Sequence, residues 1–288
     1  TALLALQLDP PAPRDARAVV VPEGARAPLS AGEFPSTPQE LREALAARTR
    51  LAPDRRALLA LSELNRLQNA VPVTTQARFD DGRWHVTAGG VAAGAVPELP
   101  DFEDLVSLVE GAARALSPLH PLASGGGDGP DANAWPLLSP SRPGLAALAA
   151  AWAAGARSPE TLSVAARALV SLAVEAPDTA EAGDLVTARA LAVLGWARSL
   201  GRRDLEAEAL LARHMGYDLA ARRLAETLSE DTPARAWVRR DDDSLRAAAQ
   251  RDGADETARY LWFRRLVERG AAAAAGAWVE SSLRPVAA

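Results

Sequence analysis

Three histidines, His85, His120 and His214, are the imidazoles of the chain, and no two stand within four residues of each other. A metal held by histidine needs several nitrogens converging, and a helix supplies them at i and i+4. That spacing is missing. There is no cysteine, so thiolate sites, disulfides and cysteine nucleophiles are excluded together. His214 closes a helical segment, where a cation complements the negative end of the dipole. His120 lies in a loop between Pro118 and Pro121, and His85 beside Trp84 reads as a strand-surface residue. No metal ligand, cofactor or catalytic residue is expected.

Two acidic clusters, Asp80-Asp81-Gly82 and Asp241-Asp242-Asp243, have local explanations. The first is hairpin-turn chemistry and the second a helix start; neither has the alternating oxygens and final Glu of a calcium loop. Gly125-Gly126-Gly127 with Gly129 is followed by Pro130 rather than by the Lys-Ser/Thr and helix start of a phosphate loop, and reads as a linker. Gly-x-Ser-x-Gly and His-Glu-x-x-His patterns are absent.

Arginine and tryptophan carry more pattern. All 32 basic residues are Arg, against 37 acidic ones and a net charge of -5. With both signs interspersed there is no footprint for nucleic acid. Arg pairs stand at 202/203, 222/223, 239/240 and 264/265, and tryptophans at 152, 196, 237 and 278, spaced 44, 41 and 41 residues apart. Arg forks beside aromatic faces suit an acidic peptide, with Tyr217, Arg222, Trp237 and Arg240 the expected shared face. Acid-first pairs at i,i+4, such as Asp218 with Arg222 and Asp242 with Arg246, are expected to satisfy other charges locally.

The elements that position these residues are mainly helical, since 48% of the chain is hydrophobic but only 5% aromatic, with Ala and Leu dominating. Residues 1–38 are Pro-rich and form an extended arm, interrupted by a short strand at Ala18–Val21. Residues 39–116 form a small α+β region: a helix opened by Thr37-Pro38 and running to Thr49, a second capped by Asp54 with Leu58, Leu61, Leu64 and Leu67 on one face, a β-hairpin over 71–86, a loop over 87–100 and a helix over 101–116. Residues 117–143 are a flexible linker. Residues 144–288 are helical, with segments at 145–155, 160–175, 180–200, 204–214, 217–229, 233–250, 255–269 and 272–283, stopped by Gly or Pro.

A period near 41 residues is the length of two packed helices, the unit of an α-solenoid. Ala236-Trp237-Val238 recurs as Ala277-Trp278-Val279. Over residues 185–215, Leu194-Gly195, a turn at Gly201, then Ala207 and Leu211 resemble a tetratricopeptide repeat, without its first aromatic and final Pro. The resemblance implies helical hairpins in which Gly195 and Ala207 allow close approach and Leu211 fills the space beside them.

The expected fold is therefore mainly α, with a helical-hairpin, α-solenoid-like C-terminal half and a smaller α+β region. The expected function is a non-enzymatic scaffold that binds a protein or peptide within a bacterial envelope complex. The apolar Ala2–Leu6 stretch before Asp9-Pro10-Pro11 matches the end of a signal or anchor helix, giving a membrane tether and a periplasmic or membrane-anchored setting in preference to the cytoplasm. The alternative is an enzyme, or an accessory domain of one, with a pocket near 71–100 that gathers His85, Asp80 and Glu98.

Overall fold

The protein was analysed as a computed structural model, which describes residues 22–23, 55–69, 75–88, 90–116, 146, 148, 150–152, 157–175, 180–251 and 256–283. The expected helix at 37–49, the strand at Ala18–Val21, His120 and the 117–143 linker lie outside them.

Helix α1, Arg55–Asn69, buries Leu58, Leu61, Leu64 and Leu67 along one stripe, as their spacing requires. The hairpin pairs β2, Thr75–Asp80, with β3, Arg83–Ala88, in antiparallel register with Phe79 opposite Trp84. Asp81 and Gly82 both take positive φ, 48° and 72°, the twist that a two-residue hairpin needs. The expected loop after the hairpin instead contains a third antiparallel strand, β4, Val91–Pro97. Its sequence is small and glycine-containing because α2 lies close across it. Pro22–Glu23, here β1, adds a two-residue parallel edge to β2.

Helix α2, Phe102–Leu116, starts with a reciprocal cap: the Asp104 amide donates to Asp101 Oδ1 and the Asp101 amide to Asp104 Oδ2, both at 3.0 Å. Its buried face carries Phe102, Leu105, Val106, Leu108 and Val109. Two glycines let it approach its neighbours. A Cβ on Gly111 would fall 2.4 Å from the Ala93 carbonyl oxygen of β4, and one on Gly195 would fall 2.5 Å from Val109 Cγ1.

Trp152 belongs to a helical stretch ahead of α3, Pro159–Glu175, which packs along α4, Ala180–Ser199. In α4 every residue from Ala190 to Ala197 is buried, the all-round apolar surface of a central helix. It contacts α1, α2 and α3. One hydrophobic core therefore runs from α1 and the sheet through α2 into the C-terminal helices.

Six shorter helices follow: α5, Leu205–His214; α6, Asp218–Glu226; α7, Pro233–Arg239; α8, Asp242–Gln250; α9, Glu256–Glu268; and α10, Ala272–Leu283. From residue 144 on, every described regular element is a helix. Four stops share one geometry: Arg202 N–H to Ala197 O, Tyr217 to Ala212, Asp241 to Ala236 and Ala271 to Leu266, at 2.9–3.0 Å. The left-handed residue in each is Gly201, Gly216, Arg240 and Gly270. At the third stop the left-handed residue is Arg240, and there the single helix expected over 233–250 divides into α7 and α8.

Candidate functional site

Cationic side chains of the helical half fall into two sets. The first is committed to ion pairs between helices. Arg198, at the end of α4, donates Nη2–H to Glu103 Oε1 at 2.7 Å and has its Nε 3.1 Å from Glu110 Oε2. Arg203 donates to Glu103 at 3.2 Å and to Glu208 at 3.1 Å. Glu208 is fully buried in α5, and this burial pushes its carboxyl above the usual carboxylate range despite the opposing pull of Arg203 and Arg198. Arg167 of α3 holds Asp204 through Nε at 2.6 Å and Nη2 at 3.3 Å, while Asp204 caps α5 by accepting from the Ala207 amide. Arg189 of α4 reaches Glu63 of α1 at 2.6 Å. These pairs fasten helices.

Trp152, Trp196 and Trp237 also sit in the interior, in different settings. Trp196 meets Trp152 edge-on at 6.4 Å, and the Arg157 guanidinium lies 3.7 Å from the Trp152 ring centre. Trp237 is 5% exposed beneath Arg265, whose guanidinium lies 4.4 Å from the ring centre and donates to the Trp237 carbonyl at 2.9 Å. Arg265 also faces Asp242 at 3.0 Å and donates to Glu268 at 3.1 Å, tying α7, α8 and α9 together. Trp278 is half-buried on α10. Gly195 faces Val109 of α2, so the close approach expected between hairpin helices serves the junction with the α+β region.

Of the four residues expected on one face, Tyr217 is the N-cap of α6 and Arg222 lies midway along it, while Trp237 and Arg240 belong to α7 and its stop. The two helices pack together. Tyr217 is half-buried with its ring 6.2 Å from Phe102, whereas Arg222 and Arg240 are exposed. Trp237 is core. The second set of arginines thus reaches solvent: neither Arg222 nor Arg240 has an ion-pair partner among the described residues. Asp218 pairs with Arg213 at 2.6 Å and Asp242 with Arg265 and Arg269, in place of the local i,i+4 partners.

His85, Asp80 and Glu98 are all exposed; His85 stands opposite Arg78 in the ladder, and Arg78 lies 3.9 Å from Asp80. His214 meets Thr187 at 3.3 Å. Asp241 caps α8, and its carboxyl is lowered by the bond from the Ser244 amide. Among the described residues no three His, Asp or Glu gather as a metal site would require. A cleft of about 170 Å³ opens between the start of α7 and α8, lined in part by Ala236, Ala247 and Ala248. Among the described residues no helix is long and apolar enough to cross a membrane.

No known protein family, characterised protein or solved structure matches the chain. Sequence reading missed the buried ionic network, in which Arg167 and Asp204 stand 37 residues apart and Arg189 and Glu63 stand 126 apart; a charge on an otherwise apolar helical stripe, as at Glu208 between Ala207 and Ala209, is the local signal that was there to find.

Proposed function

We propose that this chain is a non-enzymatic scaffold that holds a protein or peptide partner on its packed helix pairs, in the setting of a bacterial envelope complex. The helix pairs from α3 onward are the elements an α-solenoid, tetratricopeptide-like array would use. The observation that carries the reading is the division of the arginines. Arg167, Arg198 and Arg265 are consumed by internal carboxylates, whereas Arg222 and Arg240 project from α6 and the end of α7 unpaired. A planar guanidinium free of internal partners recognises carboxylates in a bidentate manner, and the half-buried Tyr217 stands at the N-cap of the helix that carries Arg222.

The test is native co-isolation of partners with the wild-type chain, then binding measurements on Arg222→Ala, Arg240→Ala and His85→Ala. Each arginine change is expected to weaken binding by about 1–3 kcal/mol, with His85→Ala unchanged. Retained binding in both arginine variants, together with a turnover abolished by His85→Ala, overturns the scaffold reading in favour of an enzyme.

A further inference from the structure

Arg198 is divided between two helices. Its Nη2 donates to Glu103 Oε1 at 2.7 Å and its Nε stands 3.1 Å from Glu110 Oε2, both on α2. Its Nη1 stands 3.9 Å from Glu208 Oε1 of α5. That gap is too long for a hydrogen bond. Nη1 and Oε1 are both buried, and neither has a hydrogen-bond partner among the described residues. The guanidinium is therefore committed to α2 and stops short of α5.

Charge is uneven at this point. The side chains of Arg198, Glu110 and Glu208 are 12%, 15% and 0% exposed, so two carboxyls share one guanidinium largely out of water. Glu103, Arg203 and Arg114, which holds Glu110, stand further out at 46%, 44% and 65%, where solvent screens them. An ionised Glu208 would keep one hydrogen bond, from Arg203 Nε to Oε2, too few for a carboxylate in the interior. Protonation relieves this. Around the rest of α5, Arg167 of α3 pairs with Asp204 and Glu206, Asp218 of α6 with Arg213, and Arg235 of α7 with Glu230. The other charges of α6 and α7 are exposed, and His214 at the end of α5 meets Thr187 of α4.

We propose that Glu208 and Arg198 form a proton-linked clasp between the helical half and α2. With a proton on Glu208, Arg198 stays on Glu103 and Glu110 and holds α2 to the end of α4. When the proton leaves, the new charge on Oε1 draws Nη1 across the gap, and the guanidinium turns from α2 towards α5. The two states differ by one proton and by the helix that Arg198 serves. Burial raises the Glu208 carboxyl while α2 is held. The hold on α2 is therefore fully present below the pKa that Glu208 has with α2 released, and is lost as pH rises through its pKa in the clasped state. The clasp concerns an internal junction and is independent of the partner-binding reading.

The test follows hydrogen exchange of the full chain by mass spectrometry, from acid to neutral pH, in the wild type and in Glu208→Gln, whose amide stays neutral. For peptides from α2, the ratio of wild-type to Glu208→Gln exchange rates should rise with pH, by at most about tenfold per pH unit for one linked proton. The ratio for α3 should stay level. The histidines are common to both chains and cancel in the ratio. Carboxyl-carbon NMR on the wild type should show one glutamate titrating above the others, and Glu110→Gln should move it down, because Arg198 is then drawn more strongly to Glu208. That measurement stands even where Glu208→Gln fails to fold. A level α2 ratio, an equal rise in α3, or a glutamate signal that Glu110→Gln leaves in place each overturn the clasp.

Discussion

Gly195→Ala puts one methyl group where α2 and α4 leave no space. Built on the backbone, its Cβ lies 2.5 Å from Val109 Cγ1, 2.8 Å from Val109 Cβ and 3.1 Å from the Glu110 amide nitrogen. The Cγ1 atom can swing away by a rotamer change, but Val109 Cβ and the amide are fixed to the α2 backbone. That backbone is itself pressed against β4 at Gly111, so it has little freedom to retreat. Helix propensity acts in the opposite direction, because Ala stabilises a helix interior by about 1 kcal/mol relative to Gly. Overpacking costs about 1–3 kcal/mol, and contacts with fixed atoms place this case near the upper end. The expected net destabilisation is about 2 kcal/mol. Urea unfolding followed by far-UV circular dichroism measures it, with an unchanged slope confirming that only stability has moved. Val109→Ala alone should also destabilise, by opening a cavity, but combining it with Gly195→Ala should cost at least about 1 kcal/mol less than the sum. A Gly195→Ala chain as stable as the wild type, or more so, would refute the close packing of α2 on α4.

Arg265→Ala removes a guanidinium whose side chain is 7% exposed and strips Trp237 of its cover and its carbonyl of a donor; a loss of about 3 kcal/mol is expected by thermal or urea unfolding, and a change under about 0.5 kcal/mol would contradict the buried pairing. Arg240→Gly should stabilise the chain by about 1 kcal/mol, because Arg240 holds φ +60° where glycine carries no steric penalty; a lowered melting temperature counts against it. Burial raises the Glu208 carboxyl, so its contribution to stability is fully present below its unfolded-state pKa and is lost as pH rises through its folded-state pKa. Urea midpoints across the acid-to-neutral range should therefore show the wild type losing stability relative to Glu208→Gln as pH increases. A difference independent of pH would show that Glu208 titrates normally.

Elements whose stability is local were the legible ones. The Asp81-Gly82 turn needs two positive φ values, and its residue types declare it; the leucine stripe of α1 and the cap at Asp241 are equally local. Strand β4 was illegible because Val91–Pro97 has little strand propensity of its own. It is held by pairing with β3 and by α2, whose Gly111 meets Ala93 from a position 18 residues later. The break after Arg239 was hidden because an arginine occupies the position where three neighbouring stops use glycine. Charge pairing misled for a related reason. Helical spacing offered Asp218–Arg222 and Asp242–Arg246, but long-range geometry gave Asp218 to Arg213 and Asp242 to Arg265. Of the expected partner-binding residues, Arg222 and Arg240 reach solvent, whereas the regular tryptophan spacing marked interior packing at Trp196 and Trp237.

The close seat of Gly195 on Val109, joined by the Arg189–Glu63 and Arg198–Glu103 pairs, means that the stretch from 117 to 143 is not what keeps the two sides of the chain together. Cut there, the halves would behave as a split protein: residues before the cut would present the bare flanks of α1 and α2, those after it the matching flank of α4, and neither would remain soluble for long without the other. Expressed as separate polypeptides in one cell, they would find each other and co-purify.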